Sequence, residues 1–275
     1  MSSSAPIFLI AHPRSGTHAL TSMISQKPDM FVFGEVFNPS PDSELYPANY
    51  YHFLRAIIDT PLASPKNAET RFTAYLGFLR SRARGLRVLV DAKYDTLHLF
   101  DMELRDISAP PSIFSFLSKQ GAQIVHLKRN VLHIYFSLMN AATANQWQVM
   151  KGEEARRPTL LIDIDLMMDF VTKKTFEEQQ VSRFVRSTDS YIEVWYEQLF
   201  GPGAVGAFHH LSTFLGIDNL IGEQSSFTKQ ITQPYDQIIE NWADVVSALR
   251  NSPFAHLLDA AAPIAQTSSS VIAAQ

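Results

Sequence analysis

Ile7-Phe-Leu-Ile-Ala-His-Pro-Arg-Ser-Gly-Thr-His18 starts as an unbroken apolar run and turns abruptly polar at His12. Five consecutive apolar residues read as a strand buried on both faces, Ile7–Ala11. The turn His12–Gly16 then leads into a helix predicted from Thr17 to Gln26, which Lys27-Pro28 ends. A strand feeding a helix N-terminus gathers unpaired N–H groups and the positive dipole end in one place, which makes an anion site. The pattern recurs at Ile124-Val-His-Leu-Lys-Arg-Asn130, where a strand Gln123–Leu127 precedes a helix from Val131 to Asn145. Asn130 is placed to cap that helix, and Ser137 lies about two helical turns beyond Arg129. Two such turns with different side chains suit a ligand that carries two separate phosphates.

Outward from these segments, strands and helices alternate. Met30–Phe33 reads as a short second strand broken by Gly34-Glu35, and Arg87–Asp91 as a third. Helices are expected at Ala68–Arg84, before Gly121, at Asp165–Arg186 with Asp165 as its cap, at Val205–Leu215 and at Tyr235–Leu249, with a strand at Tyr191–Tyr196. Residues 38–65 read as a long irregular stretch holding five prolines and the aromatics Tyr46, Tyr50, Tyr51 and Phe53. The tail beyond Ala260, rich in Ala and Ser, is expected to be disordered, so that 1–260 form one domain and 261–275 a tail. The alternation predicts an α/β fold, P-loop-like, with a parallel β-sheet flanked by helices on both faces. Ligands in such sheets sit beyond the carboxyl ends of the strands, where both turns lie.

The 275 residues are 46% hydrophobic and 18% charged, an ordinary globular composition. The formal net charge of −4 gives no global attraction for nucleic acid or an anionic membrane, so an anion site has to be built locally. The chain has no cysteine, which excludes disulfides, zinc–thiolate sites and cysteine nucleophiles. No apolar run approaches the ~18–20 residues that span a bilayer. The N-terminal Met-Ser-Ser-Ser-Ala-Pro lacks the basic and apolar regions of a signal peptide, and a cytoplasmic location is expected.

A nucleotide triphosphatase loop needs G-x-x-x-x-G-K-[ST]. The matching window, Ala11 to His18, has Ala11 for the first glycine, Thr17 for the lysine and His18 for the magnesium-binding hydroxyl. Arg14-Ser15-Gly16-Thr17 still offers what wraps one phosphate: a small turn, backbone donors, a hydroxyl and a positive charge, without a metal. At the second turn Arg129 and Ser137 can grip one phosphate together, or Arg129 can pair with a carboxylate while Ser137 packs inside its helix.

With these residues in view, the chain resembles the sulfotransferases that use 3′-phosphoadenosine 5′-phosphosulfate (PAPS), in which an arginine at a strand end is followed eight residues later by a serine. It is most similar to bacterial carbohydrate sulfotransferases of the nodulation-factor and trehalose type. In those, R-[ST]-G-[ST] followed by His or Thr opens the first helix and a Gly-Glu pair follows the next strand, as Gly34-Glu35 does here. Tyr196-Glu197-Gln198-Leu199, Phe214-Leu215-Gly216, Lys229-Gln230 and Glu240-Asn241-Trp242 extend the likeness over most of residues 7–259. The resemblance implies PAPS as donor, no metal, and a small-molecule or glycan acceptor. Nucleic acid and stable membrane insertion are not implied, and a homodimer stays open. It also implies Glu35 as general base, with Arg14, Lys93 and His12 as further catalytic candidates. Arg14, Ser15, Gly16, Thr17, His18, Arg129, Ser137, Tyr196, Phe227 and Lys229 would bind the donor. Arg14 stands where many relatives carry lysine; a guanidinium stays protonated, so charge rather than proton donation is its contribution. The aromatics of Phe37–Phe53 would form an acceptor wall or plain core. The same fold also suits a magnesium-dependent P-loop kinase, in which Asp91 would imitate a metal-binding aspartate, or a non-catalytic nucleotide-binding protein.

Overall fold

The computed structural model describes residues 5–38, 48–61, 67–100 and 112–259. The tail 261–275, Tyr46 and most prolines of the 38–65 stretch lie outside the described residues. Five parallel strands form one sheet in the order β2-β3-β1-β4-β5: β1 (Ile7–Ala11), β2 (Met30–Glu35), β3 (Arg87–Lys93), β4 (Gln123–Lys128) and β5 (Tyr191–Trp195). The chain builds β2 and β3 on one side of β1, then β4 and β5 on the other. The crevice where the order reverses therefore opens at the carboxyl end of β1.

Every residue of β1 is fully buried. Ile7, Leu9 and Ala11 face one cluster, with Leu20, Met23 and Ile24 of α1 (Thr17–Ile24) and Phe208, Leu211 and Leu215 of a later helix. Phe8 and Ile10 face the other, with Phe72, Tyr75, Leu76 and Leu79 and with Ile113, Phe116 and Leu117. Burying each large apolar side chain contributes about 1.5–3 kcal/mol, so the strand that carries the first turn is also the best anchored. The helices involved are α3 (Ala68–Arg82), after the short α2 (Tyr50–Ala56), and α4 (Ser112–Lys119). Next come α5 (Val131–Ala144), α6 (Ile164–Val185), α7 (Tyr196–Leu199), α8 (Ala204–Leu215) and α9 (Trp242–Arg250). A third cluster packs α5, α6 and α9 together beyond the sheet.

The structure departs from the sequence reading at four places. The stretch read as irregular contains α2, capped by Asn49, whose side chain accepts from Tyr51 N. Its Tyr50 and the preceding Phe37 are buried in the core around Phe72, so Tyr50 is core and not acceptor wall. The cap of α6 is Asp163, which accepts from Leu166 N at 3.0 Å, in place of Asp165. The single helix expected from Tyr235 is split into a 3-10 turn, Tyr235–Gln237, and α9, because the Asn241 side chain is held at both ends by the Ile162 backbone.

The fourth departure shapes the site. β2 does not stop at Gly34 but runs through a bulge: Val32 pairs with Leu89, yet Glu35 pairs with Asp91. Gly34, at φ 68°, supplies the left-handed residue the bulge uses. Regular pairing would set Glu35 beside Ala92. The one-residue shift moves it to the face that carries Asp91 and Lys93.

Candidate active site

The first turn folds tightly, with Ser15 N donating to His12 O, and puts both Arg14 (φ 67°) and Gly16 (φ 86°) in the left-handed region. A Cβ on Gly16 would lie 2.4 Å from the Tyr196 ring, so glycine is required twice there, for backbone and for space. That ring in turn carries the Arg129 guanidinium 4.3 Å above its centroid, a cation–π contact. Asn130 caps α5 through Leu132 N and so fixes the end of β4 from which Arg129 projects.

The two turns meet. Arg129 Nη1 donates to Arg14 O at 2.6 Å. The Arg14 guanidinium reaches across to Ser137 Oγ, at 3.2 Å from Nε and 3.1 Å from Nη2, and to Trp147 O and Gln230 Oε1. Among the described residues, each of these acceptors is a neutral oxygen. Burial pushes Arg14 below its ordinary value, and Arg129 beside it pushes further. Lys229, half-buried nearby, is lowered by burial and then by Arg129. Arg14 against the Ser137 hydroxyl, with Arg129 repelling both it and Lys229, makes a site that an anion would stabilise. Ser15 Oγ and Arg129 Nε are buried there without a hydrogen-bond partner, the kind of vacancy that a ligand's oxygens satisfy.

On the other side of α1 lies a second cluster. Lys93 Nζ donates to Thr17 Oγ1 at 2.6 Å and to both Asp91 oxygens at 2.7 Å, and sits 3.3 Å from Glu35 Oε1. His18 Nε2 lies 3.2 Å from the same Glu35 oxygen, and the Gln148 side-chain amide lies 3.1 Å from His18 Nδ1. Asn38 donates to Glu35 Oε2. Burial would raise the Glu35 carboxyl, but the His18 hydrogen bond and the Lys93 charge outweigh it and hold it down at about 2. A cavity of about 220 Å³ opens here, lined by Pro13, Glu35, Phe37, Asn38, Asp95 and Thr96 among others.

Two straps close over α1. Met150 and Phe227 bridge in antiparallel fashion, and the Phe227 ring meets His18 edge-on with centroids 5.4 Å apart.

A model of the sulfotransferase family matches residues 6–218. The chain belongs to the sulfotransferase family. This sulfotransferase is 23% identical over 266 residues to Nodulation protein H of Rhizobium meliloti (strain 1021), across 93% of this chain and 96% of that protein. Among solved structures it is similar to a sulfotransferase from Alicyclobacillus acidocaldarius, at 15% identity and TM-score 0.43, covering 90% of this chain and 95% of that one. A mouse sulfotransferase complexed with PAP matches at 14% identity and TM-score 0.43, over 78% of this chain and 60% of the mouse chain. The protein is a transferase, and sulfuryl transfer is the chemistry of its family.

The predicted residues thus fall into two adjoining groups. Arg14, Arg129, Ser137, Tyr196 and Lys229 gather at the second turn. Thr17, His18, Glu35, Lys93 and Phe227 gather at the start of α1. His12 joins neither: 2% exposed, it contacts Tyr94 by its ring and bonds Lys174 O of α6. Burial lowers it to about 3, so it stays neutral. Arg14 is the instructive placement, since its guanidinium lies against Ser137 and leaves the Thr17 side to Lys93. Gln230 and the Trp147 carbonyl were not legible as site groups, because their partner Arg14 is 216 and 133 residues away. Among the described residues, no helix is long and apolar enough to cross a membrane.

Proposed function

We propose that this sulfotransferase moves a sulfuryl group from PAPS to a hydroxyl of a carbohydrate or glycolipid acceptor, with Glu35 as general base. The observation that carries the reading is that Arg14 ties both anion-binding turns into one crevice, with a cation-rich pocket at Ser137 and the Glu35–Lys93 pair on the other side of α1. A donor with phosphoryl groups at both ends of an adenosine suits that layout, and the unpartnered Ser15 Oγ and Arg129 Nε suit its oxygens.

The reaction is a displacement at sulfur. The donor supplies the sulfuryl group and a good leaving group. Arg14, Arg129 and Lys229 hold the nucleotide by charge, and the N–H groups at the start of α1 with Lys93 offset negative charge as it grows on the leaving oxygen. Glu35 takes the acceptor hydroxyl's proton. A carboxylate held near 2 is a weak base toward an ordinary alcohol, so the proton moves as the new S–O bond acidifies that hydroxyl, late in the same step. The cavity beside Glu35, lined by Pro13, Asn38, Asp95 and Thr96 among others, offers hydrogen-bonding groups to a sugar ring. The resemblance to bacterial carbohydrate sulfotransferases supports that acceptor class.

Melting temperatures with 3′,5′-diphosphoadenosine (PAP), AMP, ADP and magnesium-ATP test the reading. PAP at 100 times its Kd should add about 2.7 kcal/mol of stability. The Arg129→Ala variant should lose its preference for PAP over AMP. Equal weakening of both nucleotides would remove Arg129 from the second phosphate site.

A further inference from the structure

Asp95 lines the cavity beside Glu35 and is exposed. It lies in the 3-10 turn Tyr94–Phe100 that follows β3, between two anchored neighbours. The Tyr94 hydroxyl bonds His126 on β4, and Thr96 Oγ1 donates to Lys93 O at 2.8 Å. The turn is thus tied to two strands, yet among the described residues the Asp95 carboxylate has no hydrogen bond and no ion pair. The other polar side chains of the cavity are engaged. Asp91 holds Lys93, Glu35 meets Lys93, His18 and Asn38, and Thr96 gives its proton to the Lys93 carbonyl.

The cavity is also one-sided in charge. Its lining sets the carboxylates of Glu35, Asp91 and Asp95 against the single ammonium of Lys93. That ammonium is shared between Asp91 and Glu35, so the charge of Asp95 stands unopposed. A free carboxylate accepts hydrogen bonds and donates none, and its two oxygens suit two adjacent hydroxyls of one sugar ring. The same charge repels an anion brought beside it.

We infer that Asp95 selects the acceptor by charge: it holds an uncharged sugar through adjacent hydroxyls and turns away sugars that already carry an anionic group. The inference rests on the carbohydrate acceptor proposed above and gives that acceptor a sign. A sulfated product is itself an anion, so one ring receives one sulfuryl group. An Asp95 with a structural role alone would treat charged and uncharged sugars alike.

The neutral probes are methyl glucoside, methyl galactoside and methyl N-acetylglucosaminide, with labelled PAPS as donor. The charged probes are the 3- and 6-monosulfates of each, and the 3- and 6-O-methyl ethers block the same oxygens without charge. In each transfer the acceptor oxygen bonds sulfur, and the bond from sulfur to the bridging 5′-phosphate oxygen breaks. That oxygen keeps the electron pair, the acceptor's proton passes to Glu35, and Asp95 contributes no atom. The wild type should use at least one neutral glycoside. Its monosulfate should lie at least about 10-fold below the matching ether in kcat/KM, and about 1 M salt should narrow that gap by screening an exposed charge. Asp95→Asn should raise KM for the neutral glycoside about 10-fold, with the smaller part of the loss in kcat, and bring monosulfate and ether within about threefold of each other. Asp95→Lys should favour the monosulfate. Equal use of monosulfate and ether by the wild type, or an unchanged gap in Asp95→Asn, would overturn the inference. So would a fall in kcat as deep as that of Glu35→Gln, which would put Asp95 in the proton transfer, or an Asp95→Asn protein that PAP no longer stabilises, which would make the residue structural. No transfer to any neutral glycoside by a wild type that PAP stabilises would sink the acceptor class and this inference with it. Transfer to neutral glycosides without discrimination by charge would sink the inference alone.

Discussion

Gly16 concentrates the demands of the site in one residue. Its φ of 86° disfavours any side chain, and the Tyr196 ring fills the space a Cβ would take. Gly16→Ala should therefore displace Tyr196, and with it the Arg129 guanidinium that rests on the same ring. Backbone strain of this kind costs about 1–3 kcal/mol. Thermal melting should show that loss, and a PAP titration of the folded variant should show weaker binding. A Gly16→Ala protein that binds PAP as tightly as wild type would mean that Tyr196 and Arg129 play no joint part in holding the donor. The residue scale is also where the sequence was most and least legible. Arg14-Ser15-Gly16-Thr17 and Arg129 with Ser137 stand out because anion-binding turns need those types at those offsets. The direction of the Arg14 side chain does not stand out, because a long guanidinium selects its partners by tertiary proximity.

At the scale of elements, β1, β4 and α5 were readable because continuous burial and a capping Asn write themselves into composition. β2 was not, since Gly34-Glu35 looks like a strand break and the pairing that turns it into a bulge comes from β3, more than fifty residues later. Asp163 and Asp165 are equally good caps by type, and only the fold of the preceding loop chooses between them. The bulge supports a direct test. Gly34→Val, a β-branched residue that resists the left-handed φ of 68°, should favour regular pairing, put Glu35 beside Ala92 and turn its carboxylate toward the α3 side of the sheet. β2 is an edge strand, so the sheet should survive. Sulfuryl transfer should then fall as far as in Glu35→Gln, while the PAP-induced rise in melting temperature is retained. Turnover near that of wild type would show that the proton leaves by another group.

At the scale of the whole molecule, buried ionisable groups tie the site to the opposite half of the sheet. Tyr94, next to Lys93, hydrogen-bonds His126 on β4; His126 Nδ1 pairs with Glu193 on β5 at 3.1 Å, and Glu193 pairs with Arg186 at the end of α6. Burial lowers both His126 and His12, the latter from 6.5 to about 3. An unfolded chain would protonate these rings near pH 6.5, and the folded one resists protonation there, His12 until about 3. The unfolded state thus takes up more protons in that window, and stability falls as pH drops below about 6.5. Glu35 and Glu193 are held at about 2 against an ordinary 4.5; burial opposes this, and hydrogen bonds and positive neighbours prevail. Their contribution is present above about pH 4.5 and is lost as pH falls toward 2. Glu178, raised by burial, works in the opposite sense but is a single group. The melting temperature should be level from pH 7 to 8, decline between about 6.5 and 4.5 through the histidines, and fall more steeply below that through the carboxylates. His12→Asn, which keeps a donor for Lys174 O, should make the first decline shallower, because one of the buried rings that resist protonation is gone. An unchanged slope in that variant would place the acid sensitivity elsewhere than in the network behind the anion-binding turn.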